Sequence, residues 1–313
     1  MTTSDPSSAA SSGSGRGAAT RPVGRGPART WGAERGDLSG FLARVCADAV
    51  ERVATAARTE PLALLRQRAA TTPSPPAFGA ALDGGVIAEV KRASPSRGVI
   101  AAGRDAVAQA RAYLDGGAAA LSVLTEPEHF LGSLDDLVAV AAAVPVPVLR
   151  KDFVVDAYQL YEARASGAAA ALLLVAALEQ ARLVELVHTA TDAGVEVLIE
   201  AHDADEVRRA ADAAAQIAGS APVIGVNARD LRRLSVDRSR FAALVDGLPD
   251  GVVVVAESGV TGPADVVAYR RAGADAVLVG EHLMVAEDPA AATRALVDAA
   301  RRDGRSSILT DST

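Results

Sequence analysis

Beyond residue 85 the chain alternates between two hydrophobic rhythms. Short runs rich in β-branched or aliphatic residues recur at 86–90, 119–123, 146–149, 170–175, 195–199, 223–226, 252–255 and 276–279. Between them lie Ala-rich, charged stretches with apolar positions at helical spacing, such as 105–114, 157–165, 178–191, 204–217 and 263–272. The first rhythm predicts buried strands and the second predicts amphipathic helices. Several helical stretches stop on Gly just ahead of a strand: GGAAA at 116–120, SGAAA at 166–170, AGV at 193–195 and AGADA at 272–276. Glycine is the usual residue just past a helix end, because it accepts a left-handed backbone. Strand–helix units at a spacing of about 25–35 residues predict an α/β fold, a (β/α)8 TIM barrel. An open doubly wound sheet fits less well, since eight units are so even and no GxGxxG follows the first strand.

Upstream of the repeat the pattern differs. Residues 1–36 are rich in Ser, Gly, Ala and Arg without periodicity, which predicts a disordered tail containing the lone Trp31. From Leu38 to about Ala70, Phe41, Val45, Ala49 and Val53 and then Leu62, Leu64 and Leu65 follow a helical period broken at Pro61. One or two extra helices are expected there, placed to cover one end of the barrel. Residues 37–302 thus read as one (β/α)8 barrel domain with an N-terminal helical extension, and 303–313 as a C-terminal tail.

Composition narrows the function. The chain of 313 residues carries a net charge of −7, which argues against general nucleic-acid binding. The longest apolar run, 168–178, is short of the roughly 18 residues a membrane helix needs. One cysteine and the absence of an apolar signal region fit a cytoplasmic protein. The four histidines are scattered without ligand spacing, so no metal site is expected. Only two of the 32 basic residues are lysines, Lys91 and Lys151, and Asn227 is the only asparagine. Lysine can be tuned to exchange a proton and arginine cannot, so these positions are informative.

The rare residues fall at the carboxyl ends of the predicted strands, where such barrels place their active sites. The first strand exits through Glu89 and Lys91, two residues apart and so on one face. The third exits through Lys151 and Phe153, the fifth through Glu200, and the sixth through Asn227 with Arg229 beyond. The seventh delivers Glu257, Ser258 and Gly259, and the eighth Gly280 and Glu281. Two subsites are predicted. ESGV and GEHLM, with Ser94, offer backbone N–H groups and a hydroxyl to a phosphate. Lys91, Lys151, Glu89, Glu200, Asn227 and Glu257 form an acid–base cluster, and Pro95, Phe130, Phe153, Leu172 and Leu231 form an apolar wall suited to a flat ring.

Taken in order, IAEVKRASPSRG, ALSVLTEPEHFLGSLDDL, VLRKDFVVDAYQLYEARASGA, IEAH, IGVNARDL, VAESGV and VLVGEHLM resemble the indole-3-glycerol-phosphate synthases over roughly residues 40–300. The resemblance implies a cofactor- and metal-free carbon–carbon lyase of tryptophan biosynthesis. It would convert 1-(2-carboxyphenylamino)-1-deoxyribulose 5-phosphate into indole-3-glycerol phosphate, carbon dioxide and water. It implies that Lys151 is the general acid and that Lys91 holds the substrate carboxylate, with help from Arg229. Glu200 would act in the dehydration, Glu89 and Asn227 would orient these groups, and Glu257 and Ser258 would complete the catalytic set. Ser94, Gly259, Gly280 and the backbone of Glu281 would bind phosphate. The expected partner is a small phosphorylated substrate, with the protein a monomer or weak homodimer.

Two departures from the family pattern stand out. The first loop, GVIAAGRDAVAQA, lacks the Asp-Pro helix start, and the fifth helix reads several residues longer through AADAAAQIAGSAP. The chain reads as the monofunctional form. Two other readings stay open at this point: an isomerase or lyase on another phosphate-binding barrel, and a non-catalytic ligand-binding paralogue.

Overall fold

The apolar runs form strands that are buried on both faces, and they pair in parallel until the sheet closes on itself. The computed structural model describes residues 38–229 and 238–302. The predicted tails at 1–36 and 303–313, and Leu231, lie outside the described residues. The barrel strands are β1 (Gly85–Val90), β2 (Ala120–Leu124), β3 (Val148–Lys151), β4 (Ala170–Leu174), β5 (Glu196–Ala201), β6 (Val223–Asn227), β7 (Val253–Glu257) and β8 (Ala276–Val279). Each pairs with the next, and β8 returns to β1, giving a closed eight-stranded barrel.

The helices are α1 (Leu38–Thr59), α2 (Leu62–Thr71), α3 (Ala106–Asp115), α4 (Leu134–Ala143), α5 (Ala157–Ala165), α6 (Gln180–Ala193), α7 (Ala204–Ala214), α8 (Arg238–Val245), α9 (Pro263–Arg271), the short α10 (Glu281–Met284) and α11 (Pro289–Arg302). Asp105, Ser133, Asp156 and Asp203 accept N–H bonds at the starts of α3, α4, α5 and α7. Gly117, Gly167, Gly194 and Gly273 follow helices at positive φ, as the Gly stops predicted. No described helix is long and apolar enough to cross a membrane.

Several strands run further than their apolar runs. β3, β5, β6 and β7 extend through Lys151, Glu200, Asn227 and Glu257, so these polar residues stand on regular strand backbone rather than in loops. β3 also starts later than expected, at Val148. Pro147 has no N–H for the ladder, although its carbonyl still accepts from Leu121 at 3.0 Å. The helix expected over 204–217 ends at Ala214, and the residues after it form the turn that feeds β6. The first βα loop folds into a small antiparallel hairpin, Ala93–Ser94 with Gly98–Val99, which the sequence pattern did not predict.

The amino-terminal segment divides its work between the two ends of the barrel. α2 packs Leu65 and Ala69 against Tyr158 and Tyr161 of α5. α1 climbs to the carboxyl rim, where Phe41 meets His129 edge-on at 5.0 Å and Arg52 pairs with Asp152 at 3.1 Å. The opposite end is closed by a 3₁₀ turn, Gly79–Ala81, rather than by either helix. It drops the fully buried Phe78 and Leu82 among Ile87, Leu149, Leu198 and Val255. The amides of Phe78 and Gly79 bond the Glu196 carboxylate at 2.7 and 2.9 Å, which fixes the plug to β5.

Candidate functional site

At the carboxyl mouth, alternation along the strands turns an acidic and basic layer inward, one pleat above the inner apolar layer. On β1 and its exit, Lys91 Nζ lies 2.7 Å from Glu89 Oε1, while Ser122 of β2 donates to Glu89 Oε2 at 3.2 Å. Lys151 Nζ lies 3.0 Å from Glu200 Oε2 and 2.7 Å from Glu257 Oε2. Asn227 Nδ2 donates to Glu200 Oε1 at 2.8 Å, and the Asn227 carbonyl oxygen accepts from the Arg229 backbone at 3.0 Å. Lys91, paired with Glu89, and Lys151 and Asn227, joined through Glu200, thus face one mouth.

The environment separates the charge states of these groups. For Glu257, burial comes first and the neighbouring Glu200 adds to it, so its pKa rises to about 7 despite Lys151. Burial pushes Glu200 in the same direction, but Lys151, His202 and Asn227 outweigh it and hold it well below the usual carboxylate range. The Lys151 ammonium is pushed down by burial, yet Glu200, Glu257 and Glu89 overcome that and raise it above the ordinary lysine range. Burial likewise raises Glu89, and Lys91 and Lys151 bring it below normal. Glu257 Oε1 is buried with no hydrogen-bond partner among the described residues.

Two glycines make room for this layer. A Cβ on Gly225 would sit 2.3 Å from Glu257 Oε1. A Cβ on Gly280 would sit 2.5 Å from Glu89 Oε1 and 3.0 Å from Lys91 Nζ. Gly280 was expected only as a phosphate contact; its bare α-carbon also admits the Glu89–Lys91 pair.

The aromatic wall is built from two loops that buried polar side chains hold in shape. Glu126 accepts the backbone N–H groups of Glu128, His129 and Phe130 at 3.1, 2.7 and 3.0 Å. In the next loop Gln159 accepts from Val155 and Asp156 at 2.8 and 3.1 Å and donates to the Phe153 carbonyl at 2.9 Å. The Phe130 and Phe153 rings consequently meet with centroids 6.2 Å apart. Pro95 is partly buried in the loop beyond β1, next to Ser94. Leu172 is 5 % exposed and belongs to the inner apolar layer, so it forms floor rather than wall.

The predicted phosphate end occupies the adjoining exits of β7, β8 and β1. Ser258 and Gly259 take φ values of 68° and 78°, and the Ser258 carbonyl accepts from the Tyr269 hydroxyl at 2.9 Å. Gly280 leads directly into α10. Ser94 Oγ is 3.3 Å from Ser96 Oγ, and the Glu281 side chain turns away to pair with Arg97 at 2.8 Å.

Sequence reasoning missed His202, Ser122, Gly225, Glu126 and Gln159. His202 was set aside because it lacks metal-ligand spacing, a test blind to hydrogen bonding. Gly225 carried a usable signal, since Gly inside an apolar strand marks a close approach. Ser122, Glu126 and Gln159 have no marker in a single sequence.

Comparison with known proteins gives the chain's family. The family profile described as indole-3-glycerol phosphate synthase matches residues 42–296. The chain is 52 % identical over 275 residues to the Streptomyces griseus protein of that name, covering 86 % of this chain and 98 % of the relative. It is 52 % identical over 265 residues to the Mycobacterium avium protein of that name, covering 84 % and 94 %. Among solved structures, a 3-hexulose-6-phosphate synthase superimposes with a TM-score of 0.55 at 18 % identity, covering 69 % of this chain and 99 % of that one, a likeness of fold. Profile, relatives and mouth agree: the chain belongs to the indole-3-glycerol phosphate synthase family.

Proposed function

We propose that the chain closes the indole ring of 1-(2-carboxyphenylamino)-1-deoxyribulose 5-phosphate, releasing carbon dioxide and water, with Lys151 as the general acid. The observation that carries this assignment is the seat of Lys151 Nζ, buried between Glu200 and Glu257. The ionised Glu200, with Glu257 and Glu89 adding to it, keeps the amine charged, so it enters the reaction with a proton to give. As the ring carbon bearing the carboxylate attacks the ketose carbonyl, Lys151 protonates the carbonyl oxygen and a C–C bond forms. Loss of carbon dioxide returns its bonding electrons to the ring. The new hydroxyl then leaves as water with a second proton, given by Lys151 once it has been recharged, while Glu200 takes the proton from the adjacent carbon. Positioned proton donors of this kind contribute about 10²- to 10⁴-fold each.

Lys91, held by Glu89, faces the substrate carboxylate, and Arg229 borders the same side. Phe130 and Phe153 stack the anthranilate ring. Asn227 orients Glu200 and a substrate hydroxyl, and Glu257, with Ser258 beyond it, sets the charge of Lys151. Ser94, Gly259, Gly280 and the Glu281 backbone hold the phosphate, so that remote binding energy brings the reacting ends together. The test is turnover of the synthetic substrate by purified protein, following indole fluorescence and carbon dioxide. The reading requires both products in equal amounts; folded protein that forms neither removes it.

A further inference from the structure

The reaction consumes a proton. The substrate enters with an ionised carboxylate, which leaves as neutral carbon dioxide, so substrate and one proton give product, carbon dioxide and water. Lys151 gives one proton at ring closure and a second to the leaving hydroxyl, whereas Glu200 takes only one back from carbon, so while substrate fills the mouth one proton has to come from within the protein. Behind Glu200, on the side away from Lys151, stands His202, 6 % exposed. Its Nε2 lies 3.2 Å from Glu200 Oε1, and its Nδ1 lies 3.0 Å from Glu206 Oε2. Glu200 therefore has one oxygen on Lys151 and the other on His202.

We propose that His202 is the proton reservoir of the site, a positioning residue that recharges Lys151 through Glu200 and is itself kept charged by Glu206. The inference rests on the ring-closure reading above. In the transfer the Nε2–H bond breaks and an O–H bond forms on Glu200 Oε1, leaving a neutral imidazole with its Nδ1–H on Glu206. Rotation of the Glu200 carboxyl group presents that proton to Lys151 Nζ. His202 regains a proton from water when product leaves.

The charges around the imidazole suit this task. Glu200 comes from its own strand and Glu206 from α7. The neighbour on β6 is the neutral amide of Asn227, and Lys151 on β3 is separated from His202 by Glu200. Burial disfavours the imidazolium, but hydrogen bonds and charge from Glu200 and Glu206 outweigh it and raise its pKa to about 9. The ring therefore holds a proton at neutral pH without being locked in that state. A purely structural account assigns Glu206 to the start of α7, where it accepts the His202 backbone N–H at 2.8 Å. Glu206→Gln keeps an acceptor for that bond and removes only the charge, which separates the two accounts.

The experiment measures kcat and KM from neutral to alkaline pH for the wild type, His202→Gln and Glu206→Gln, with thermal unfolding as the check on folding. Wild-type turnover is the control for the reaction itself, and its absence overturns both the reaction and the reservoir. The expected result for His202→Gln is a kcat about tenfold or more lower with KM changed by less than about threefold, a loss in the chemical step rather than in binding. For Glu206→Gln the fall of kcat with rising pH moves to lower pH, because the imidazolium has lost a stabilising charge. A wild-type kcat in His202→Gln, or an unmoved alkaline limb in Glu206→Gln beside an active wild type, overturns the reservoir and leaves the reaction standing. If His202→Gln does not fold, the Glu206→Gln profile decides alone.

Discussion

Glu200 and Glu257 share one ammonium yet titrate in opposite directions, and the difference has a thermodynamic signature. Glu257 has its folded pKa raised to about 7 from an ordinary 4.5. Between those values the native state holds a proton that the unfolded chain has released, so this group lowers stability as pH rises through the window. Glu257→Gln removes that loss. The urea midpoint of the variant relative to wild type should therefore climb between about pH 4.5 and 7; a pH-independent difference would show that Glu257 does not hold its proton in this window. His202 runs the other way. Its stabilising contribution is complete below 6.5 and is lost as pH rises through about 9. Lys91, Lys151 and Asn227 were legible in the sequence because each is rare and each sits at a strand exit. His202 was not, because its meaning comes from Glu200 and from a helix residue that the fold alone brings to its other nitrogen.

Strands rather than loops carry the acid–base layer, and that is why backbone glycines matter here. β6 passes Gly225 directly beneath Glu257, and Gly280, the residue after β8, lies against Glu89 and Lys91. Gly225→Ala forces the Glu257 carboxyl off Lys151 without touching the outer helices. We expect kcat to fall at least about tenfold with an intact fold by circular dichroism; unchanged kcat would show that Glu257 has no part in setting Lys151. The strand and helix rhythm was readable because period 2 and period 3.6 differ so plainly. The strand ends were not, because a polar residue at the end of an apolar run looks the same whether it continues the strand or starts the loop. The hairpin after β1 escaped for a related reason: two residues a side leave no periodicity to see.

As a whole the molecule works as a barrel with one end plugged and the other charged. The plug was invisible in the sequence, since PPAFGAALDGG reads as a connection, and only closure of the sheet shows Phe78 and Leu82 entering it. Phe78→Ala should cost about 3–5 kcal/mol in chemical denaturation while leaving KM unchanged, because the site lies at the far end; a raised KM at normal stability would contradict this division of labour. At the charged end the account depends above all on Lys151 being the acid that closes the ring. The most direct measurement is a single turnover by Lys151→Met, which keeps the side chain's bulk and removes its proton. Substrate should bind, seen as quenching of its anthranilate fluorescence, while indole formation slows about a hundredfold or more. Indole formed at close to the wild-type rate would contradict the account.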